Sequence, residues 1–413
     1  MTKRTVTREE LDAPMLPYEE AVARVLEAVA TLPAQRVALK DARGLAIAER
    51  IVAEHDVPGF DNSAMDGYAI RSADTEGASP STPKVLTLVD DLPAGTAPLR
   101  SVEPGTAAKI MTGAPVPPGA DAVVPWEDSE PRAGGEVAVL ARIPARKHVR
   151  PRGEDVKEGD EAIAAGTVLR PVHLGVIASV GRSHVQAVPK PRVSVLSTGD
   201  ELVAAGGTLE PGKVFDANQA LIAALCEEAG AHVTLTGLVG DDPKEVIRWL
   251  EDAAGMADLI VTSGGASVGE HDWLRDVLER YGELSMWRVA IKPGKPVAMG
   301  RIARAPVLAL PGNPGSAFVG VHVFVAAAIR KLAGRDPAPR AMRALLAEDV
   351  KGSPSRTLFC RVRIAGNKAM PLPAQSSVVL SNIIPTEGFA IVPPGGLPAG
   401  AEVRVEFIGD LPV

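Results

Sequence analysis

From residue 192 to residue 332, short runs of apolar, often β-branched residues alternate with stretches in which apolar positions recur every three or four residues. VSVLST, HVTLTGLV and DLIVT read as strands, and further strands are expected near 297–300 and 307–310. Helices are expected at 218–229 with Gly230 just past the end, from 243, at 272–280 and at 314–332. Asp242 reads as an N-cap, with Pro243 at the first helical position and Glu245 three residues after the cap, and Asn313 before Pro314 repeats the arrangement. Strands and helices alternating in this way imply an α/β domain built on a parallel, doubly wound sheet, with its ligand crevice at the strand carboxyl ends. The loops after successive strands carry Asp200 and Glu201, Asp241 and Asp242, Gly264 and Gly265, and Gly312 and Asn313, so these should share one rim.

The flanking pattern differs. Ala21, Val22, Val25, Leu26 and Val29 mark an amphipathic helix over 17–32, stopped by Pro33, and a second short helix is expected at 41–49. GFDNSAMDGYAIR reads as a loop entering a strand, with Asp66 at its centre. Between 85 and 140, short apolar segments alternate with Pro/Gly turns, the pattern of a small all-β domain. Within it Pro115, Pro117 and Pro118 stiffen a turn that holds Thr112 and Gly113. The charge run RKHVRPRGEDVKEGD (146–160) reads as a solvated linker, followed by a helix at 172–179 that ends at Gly181. The β domain therefore stands inserted between two pieces of a helical domain. The expected layout is a helical domain from 1–56 plus 147–188, an inserted β domain at 57–146, the α/β domain at 189–334 and a separate, barrel-like C-terminal β domain at 335–413.

Composition narrows the function. The 413-residue chain carries a net charge of −7, which argues against a sequence-wide nucleic-acid role while leaving room for a local basic pocket. Cys226 and Cys360 are the only cysteines, far apart, so neither a disulfide framework nor a zinc spacing is present. The first residues lack an apolar core, and nowhere do 18 apolar residues run together, so a cytoplasmic protein with no membrane association is expected. The sharpest candidate chemistry lies in VTSGGASVGEHD (261–272). There a strand end meets a glycine pair that lets backbone N–H groups close around an anion, and a helix start follows.

The motifs GFDNSAMDGYA, IMTGAPVPPGAD, RPRGEDV, STGDEL and SGGASVGEHD, followed by IKPGKP and LPGNPGSA, stand in a fixed order. Over residues 18–332 the chain resembles the molybdopterin molybdenumtransferases, the family of bacterial MoeA and the gephyrin E domain. The resemblance implies insertion of molybdate into adenylylated molybdopterin with release of AMP, assisted by Mg2+. It also implies a homodimer with composite clefts and a separate molybdopterin adenylyltransferase that supplies the substrate. By motif match, Asp66, Thr112, Asp155, Glu201, Asp241 and Asp272 fall on catalytic positions, with Glu201, Asp241 and Asp272 as metal ligands. Pro311 and Pro314 match the family's proline pair near the molybdate site, and Ser263, Gly264, Gly265, Ser267, Arg288, Lys292 and Lys295 are candidates for binding the pterin and the oxyanion. Three residues depart from the family pattern: Gly315 where a larger apolar residue is frequent, Arg288 where lysine is frequent and Trp126 where the residue is commonly polar.

The residue types suit that chemistry. Phosphate and phosphoanhydride call for backbone N–H groups and cations, which the SGG turn, Lys292, Lys295 and Arg288 offer. Magnesium takes oxygen ligands and keeps waters, so scattered carboxylates rather than a His/Cys cage are expected. Rival readings are a molybdopterin adenylyltransferase, which would need neither the Asp66 nor the Thr112 motif, and a scaffold that binds partner peptide at a dimer surface. A dinucleotide-dependent dehydrogenase is weakest, because no G-x-G-x-x-G follows the first strand.

Overall fold

The computed structural model describes residues 15–264 and 282–409. The chain divides into two compact units, one holding the chain up to Arg36, Gly44–Ala48 and everything from Gln186, the other holding Val37–Arg43 and Glu49–Val185.

Helix α1 (Tyr18–Glu27) buries Ala21 and Val25, as its periodicity requires, but stops short of the 17–32 expected from the pattern. Its orphaned last carbonyls find tertiary partners: Lys331 Nζ donates to the Leu26 carbonyl at 2.6 Å and Arg301 Nη2 to that of Ala28 at 2.9 Å. Leu32 N–H then pairs with the Leu332 carbonyl at 2.9 Å, drawing the chain out of the helix. The helix expected at 41–49 is absent. A 3-10 turn at Leu39–Asp41 is followed by Gly44 at φ +82° and by a two-residue strand, Ala46–Ile47, which pairs antiparallel with Val188 and Ala187.

The second unit is built on a six-stranded sheet of β1 (Gly67–Ile70), β2 (Lys84–Leu92), β3 (Thr106–Ile110), β4 (Ala122–Pro125), β5 (Ser129–Arg132) and β6 (Glu136–Val139), in the order β4-β1-β3-β2-β6-β5. Alternation along β1 sends Tyr68 and Ile70 to one apolar cluster and Ala69 to another, so both faces are covered. The 146–160 run is a folded part of this unit rather than a linker. Arg150 pairs with Asn62 and Val149 with Ser63, while Val57 N–H donates to the Val156 carbonyl at 2.7 Å. Asp56 accepts from Arg152 Nε and from Glu158 N–H, and Asp61 accepts from Arg146 Nη1 and from Arg152 N–H. These donors hold both carboxyls below the usual range. Helix α2 (Pro171–Ser179) matches its expected span. With α1 and α2 as the α-helices between residues 15 and 188, and short strands such as Ile51–Val52, Glu161–Ile163 and His184–Val188 around them, the helical domain expected from 1–56 and 147–188 is not helical in character. Polar, turn-rich sequence hid two- and three-residue strands whose partners lie about a hundred residues away.

In the first unit, β7 (Arg192–Thr198), α3 (Asn218–Glu228), β8 (His232–Val239), α4 (Pro243–Ala254), β9 (Leu259–Ser263), β10 (Gly282–Arg288), β11 (Ile291–Lys292), β12 (Pro296–Ile302) and β13 (Ala305–Leu310) follow in turn. The sheet order is β8-β7-β9-β13-β12-β10. The first four strands are parallel, as expected, whereas β12 runs antiparallel to β13 and to β10. Only residues 303 and 304 join β12 to β13, a link far too short for the crossover that parallel pairing demands. Helices do cover both faces: Val193, Val195, Val261 and Leu308 pack with α3, while Leu196, Ile260, Val307 and Ala309 pack with α4. Asp242 caps α4 by accepting from Lys244 N–H at 3.0 Å.

The span from Pro314 to Leu332 comprises α5 (Pro314–Gly320), a π turn at Val321–Val325 and α6 (Ala326–Leu332). Asn313 precedes it without a side-chain cap bond, unlike the capping role expected for it. This span is long and apolar enough to cross a membrane, yet 94% of it is buried inside the protein. The C-terminal strands β14 (Ala341–Leu346), β15 (Thr357–Ala365), β16 (Lys368–Pro371), β17 (Gly388–Val392) and β18 (Glu402–Phe407) close a five-stranded barrel, β15-β16-β14-β18-β17 and back to β15. The barrel is less separate than expected. β11 pairs with β15, Phe359 and Phe389 join the cluster of α5 and α6, and His322 Nε2 meets Glu406 Oε2 at 3.1 Å with both side chains buried.

Gly237, in β8, lies close against the Trp249 indole of α4, where an added Cβ would collide with the ring. Gly237→Ala should therefore lower unfolding free energy by about 1–3 kcal/mol, the scale of overpacking a tight contact. A urea titration followed by tryptophan fluorescence measures it.

Candidate functional site

The four parallel strands end in register. Thr198 pairs with Val239, Ser197 with Ser263, and Ser263 with Leu310, so the loops after β7, β8, β9 and β13 leave from one rim, as the sequence order implied. Asp200 organises the first two loops: its Oδ1 accepts from Asp241 N–H at 3.0 Å and its carbonyl from Lys213 Nζ at 2.5 Å. The exposed Glu201 carboxylate folds over Gly199, and the Asp241 side chain is also exposed. Gly264 has φ +95°, and a Cβ there would lie 2.6 Å from the Thr198 carbonyl oxygen and 2.7 Å from its hydroxyl, so only glycine fits this turn. Ser263 is buried, and its hydroxyl accepts from Asn218 Nδ2 at 2.7 Å. Gly265, Ser267, Asp272 and the helix expected at 272–280 lie outside the described residues.

A second cleft stands in the same unit. Lys292, at the end of β11, lines a cavity of ≈ 410 Å³ together with Gln375 and Ser376. In β15, the strand that pairs with β11, Arg361 is 2% exposed. Its Nη2 donates to the Ala374 and Ser376 carbonyls at 2.9 and 3.1 Å, while its Nε has no hydrogen-bond partner and no carboxylate pairs with it among the described residues. The loop of Pro311 and Pro314 closes on this guanidinium. Gly315 N–H donates to the Ser377 carbonyl at 2.7 Å, and a Cβ on Gly315 would stand 3.2 Å from Arg361 Nη1. Burial, then the nearby positive charges of Arg288 and Arg356, lower the Lys295 pKa, which marks a concentration of cations around it. Arg361, Ser376, Ser377 and Asn218 are contributors that the motifs passed over. An arginine inside the apolar run LFCRV was the available signal for Arg361, whereas nothing local marks Asn218.

The remaining candidates belong to the second unit. Asp66 Oδ1 accepts from both the N–H and the hydroxyl of Thr112, each at 2.7 Å. Those two donors, the backbone one first, hold its carboxyl below the usual range. Trp126, half-exposed, donates its backbone N–H to the Asp66 carbonyl at 3.3 Å. Asp155 is exposed, and its N–H donates to the Val57 carbonyl at 3.0 Å. Burial pushes the Cys226 thiol up to about 12 and that of Cys360 up to about 11, so neither offers a thiolate at neutral pH.

Comparison with known proteins accounts for both units. The MoeA N-terminal region (domain I and II) matches residues 16–181, a probable molybdopterin binding domain residues 194–331, and the MoeA C-terminal region (domain IV) residues 343–408. Molybdopterin molybdenumtransferase 2 of Mycobacterium tuberculosis is 39% identical over 325 residues, 77% of this chain and 79% of that protein. The molybdopterin molybdenumtransferase of Staphylococcus aureus is 32% identical over 400 residues, 94% of this chain and 95% of that protein. The crystal structure of a molybdopterin biosynthesis MoeA protein from Pyrococcus horikoshii superposes with a TM-score of 0.82 at 31% identity, covering 96% of this chain and 100% of that one. With the aligned strand-end rim and the buried cation beside it, these likenesses make the chain a member of the MoeA family of molybdopterin molybdenumtransferases, enzymes of molybdenum cofactor biosynthesis.

Proposed function

We propose that this enzyme inserts molybdate into adenylylated molybdopterin and releases AMP, with Mg2+ as the helper ion. The observation that carries the reading is Arg361, a guanidinium buried without a carboxylate partner among the described residues and set against the Pro311–Pro314 loop. A buried, uncompensated cation is costly unless an anion arrives to pair with it, and a tetrahedral oxyanion would supply the acceptors that the Arg361 guanidinium lacks. The strand-end rim suits the other substrate, since the loops after four parallel strands gather there at the sheet's carboxyl edge. Glu201 and Asp241 present only oxygen, the donor type magnesium takes. Among the described residues no group of three His, Cys, Asp or Glu could hold a metal ion alone, so Asp272 and the substrate's own phosphates would complete the set. Bound there, magnesium supplies charge neutralisation for cleavage of the phosphoanhydride. Molybdenum is cargo, and the two dithiolene sulfurs of the substrate receive it.

The working unit is proposed to be a cytoplasmic homodimer with composite clefts, Asp66, Thr112 and Asp155 coming from one subunit and the rim carboxylates from the other. A separate adenylyltransferase would supply the substrate. A four-part division at 57–146, 189–334 and 335–413, with 1–56 and 147–188 forming the fourth part, goes with that reading.

The direct test supplies adenylylated molybdopterin, Mg2+ and molybdate and measures AMP. Absence of molybdate-dependent AMP would overturn the reading. In the same assay Arg361→Met should raise the molybdate concentration for half-maximal rate about ten- to a hundred-fold, the worth of a charged hydrogen bond. Its melting temperature should hold or rise, because an unpaired buried charge is removed.

Thr112→Val removes one of the two donors that keep Asp66 ionised. In the wild type their stabilising contribution is present above the ordinary carboxyl pKa of about 3.9 and is lost as pH falls through the depressed folded value. The Asp66 titration, followed by carbon NMR, should move up toward about 3.9 in the variant. An unmoved titration would mean that the Thr112 hydroxyl does not hold the carboxylate.

Composite clefts predict complementation. Asp66→Ala and Asp272→Ala homodimers should each be nearly inactive, whereas mixed dimers contain one cleft with both defects and one with neither. AMP release should return on subunit exchange. Exchange confirmed by mass with no recovery would place each cleft within a single subunit.

A further inference from the structure

Asn218, the first residue of α3, is 8% exposed and lies against the rim of strand ends. Both hydrogens of its amide are spent on loops rather than on its own helix. Nδ2 donates to Ser263 Oγ at 2.7 Å, in the last residue of β9, and to the Gly312 carbonyl at 2.6 Å, in the loop after β13. We infer that Asn218 is a positioning residue that locks the turn at Gly264 to the loop of Pro311 and Pro314, fixing the span between the phosphate-binding backbone and the oxyanion pocket. The inference rests on the proposed function for what the two loops bind, but the lock itself is geometric.

Three observations support it. The β9–β13 ladder ends at Ser263 and Leu310, with Gly264 N–H donating to the Leu310 carbonyl at 3.1 Å as its last step. Beyond that step the strand pairing no longer sets the spacing of the two loops, and the Asn218 amide spans the gap. Second, the helix start is already satisfied without this side chain. Asp216 Oδ1 accepts from the N–H groups of Asn218 and Gln219 at 3.0 and 3.1 Å, and Gln219 Nε2 anchors the same turn to the Gly237 carbonyl of β8 at 2.8 Å. An asparagine at 218 is therefore not needed as a cap. Third, Asn218 Oδ1 and Asp216 Oδ2 are buried without a hydrogen-bond partner. Leaving an acceptor unpaired is unfavourable, so this amide is not explained as an optimum for stability alone; its two donors are what the site uses. A misplacement on the order of 1 Å between reacting groups can cost about a hundredfold in rate, which is the benefit such a lock provides.

The two bonds can be cut separately. Asn218→Asp keeps the shape but faces the Gly312 carbonyl with an acceptor, whereas the Ser263 hydroxyl can rotate and donate. That variant should raise the molybdate concentration for half-maximal rate about ten- to a hundred-fold, with the value for adenylylated molybdopterin changed less than about threefold. Ser263→Ala cuts the other bond and should act chiefly on the pterin substrate. Hydrogen exchange reads the lock without any substrate. Amides of residues 312–316 should exchange faster in Asn218→Asp, and both 312–316 and 260–264 faster in Asn218→Ala, while the barrel strands stay unchanged. If Asn218→Ala lowers only the melting temperature, with exchange in both segments and both half-saturation values unmoved, Asn218 merely supports the fold and the inference is overturned. If the wild type releases no AMP with molybdate, the functional reading fails, and the exchange data still decide whether the lock exists.

Discussion

Parallel pairing of β7, β8, β9 and β13 is the constraint from which the site follows. Parallel neighbours run in one direction, so the carboxyl ends of all four strands lie at the same rim. Four loops of unrelated sequence are thereby delivered to the same edge, and the ladder registers at Thr198, Val239, Ser263 and Leu310 set where each begins. Loop chemistry can then vary without moving the platform. Asp200, holding the Asp241 N–H, and Asn218, holding Ser263 and Gly312, are the side chains that carry this order past the last strand residues.

The second source of order is the join between the α/β sheet and the barrel. β11 runs parallel to β15, so Lys292 is delivered beside the strand that bears Arg361. The buried His322–Glu406 contact, with Arg404 Nε on the other carboxylate oxygen at 3.1 Å, fastens the central helical span to β18. Phe389 packs against both Phe318 and His322, with ring centroids 5.4 and 4.8 Å apart. Arg361 and the Gly315 backbone therefore approach each other on rigid elements, which is what a pocket for a small, hard anion requires.

Legibility in the sequence tracked the range of the interactions. Local periodicity placed β7, α3, β8 and α4 closely, because each is long enough for its apolar stripe or run to show. It failed at Ala46–Ile47, whose strand character comes from Val188 and Ala187, and at the end of α1, where Lys331 and Arg301 take the helix carbonyls. The charge run at 146–160 misled for the same reason. Arg152 and Arg146 are held by Asp56 and Asp61, far upstream, so charges that read as solvated serve as ties. The motifs singled out Asp66 and Thr112, which the structure shows bonded to each other, and the strand order placed Glu201 and Asp241 at one rim. The motifs passed over Arg361, which carries no motif and announces itself only as a cation inside the buried run 358–362.

Gly315 shows how a local departure is absorbed. A larger apolar residue at this position, as the family resemblance leads one to expect, would need the space that the Ser377 backbone and Arg361 Nη1 occupy here. The glycine instead lets the segment after Gln375 close in until the Ser377 carbonyl takes the Gly315 N–H. The wall that a side chain would have supplied is made of backbone, and the guanidinium behind it stays buried. The departure therefore changes what stands against Arg361, backbone atoms of Ser377 in place of a side chain, while the guanidinium keeps its burial.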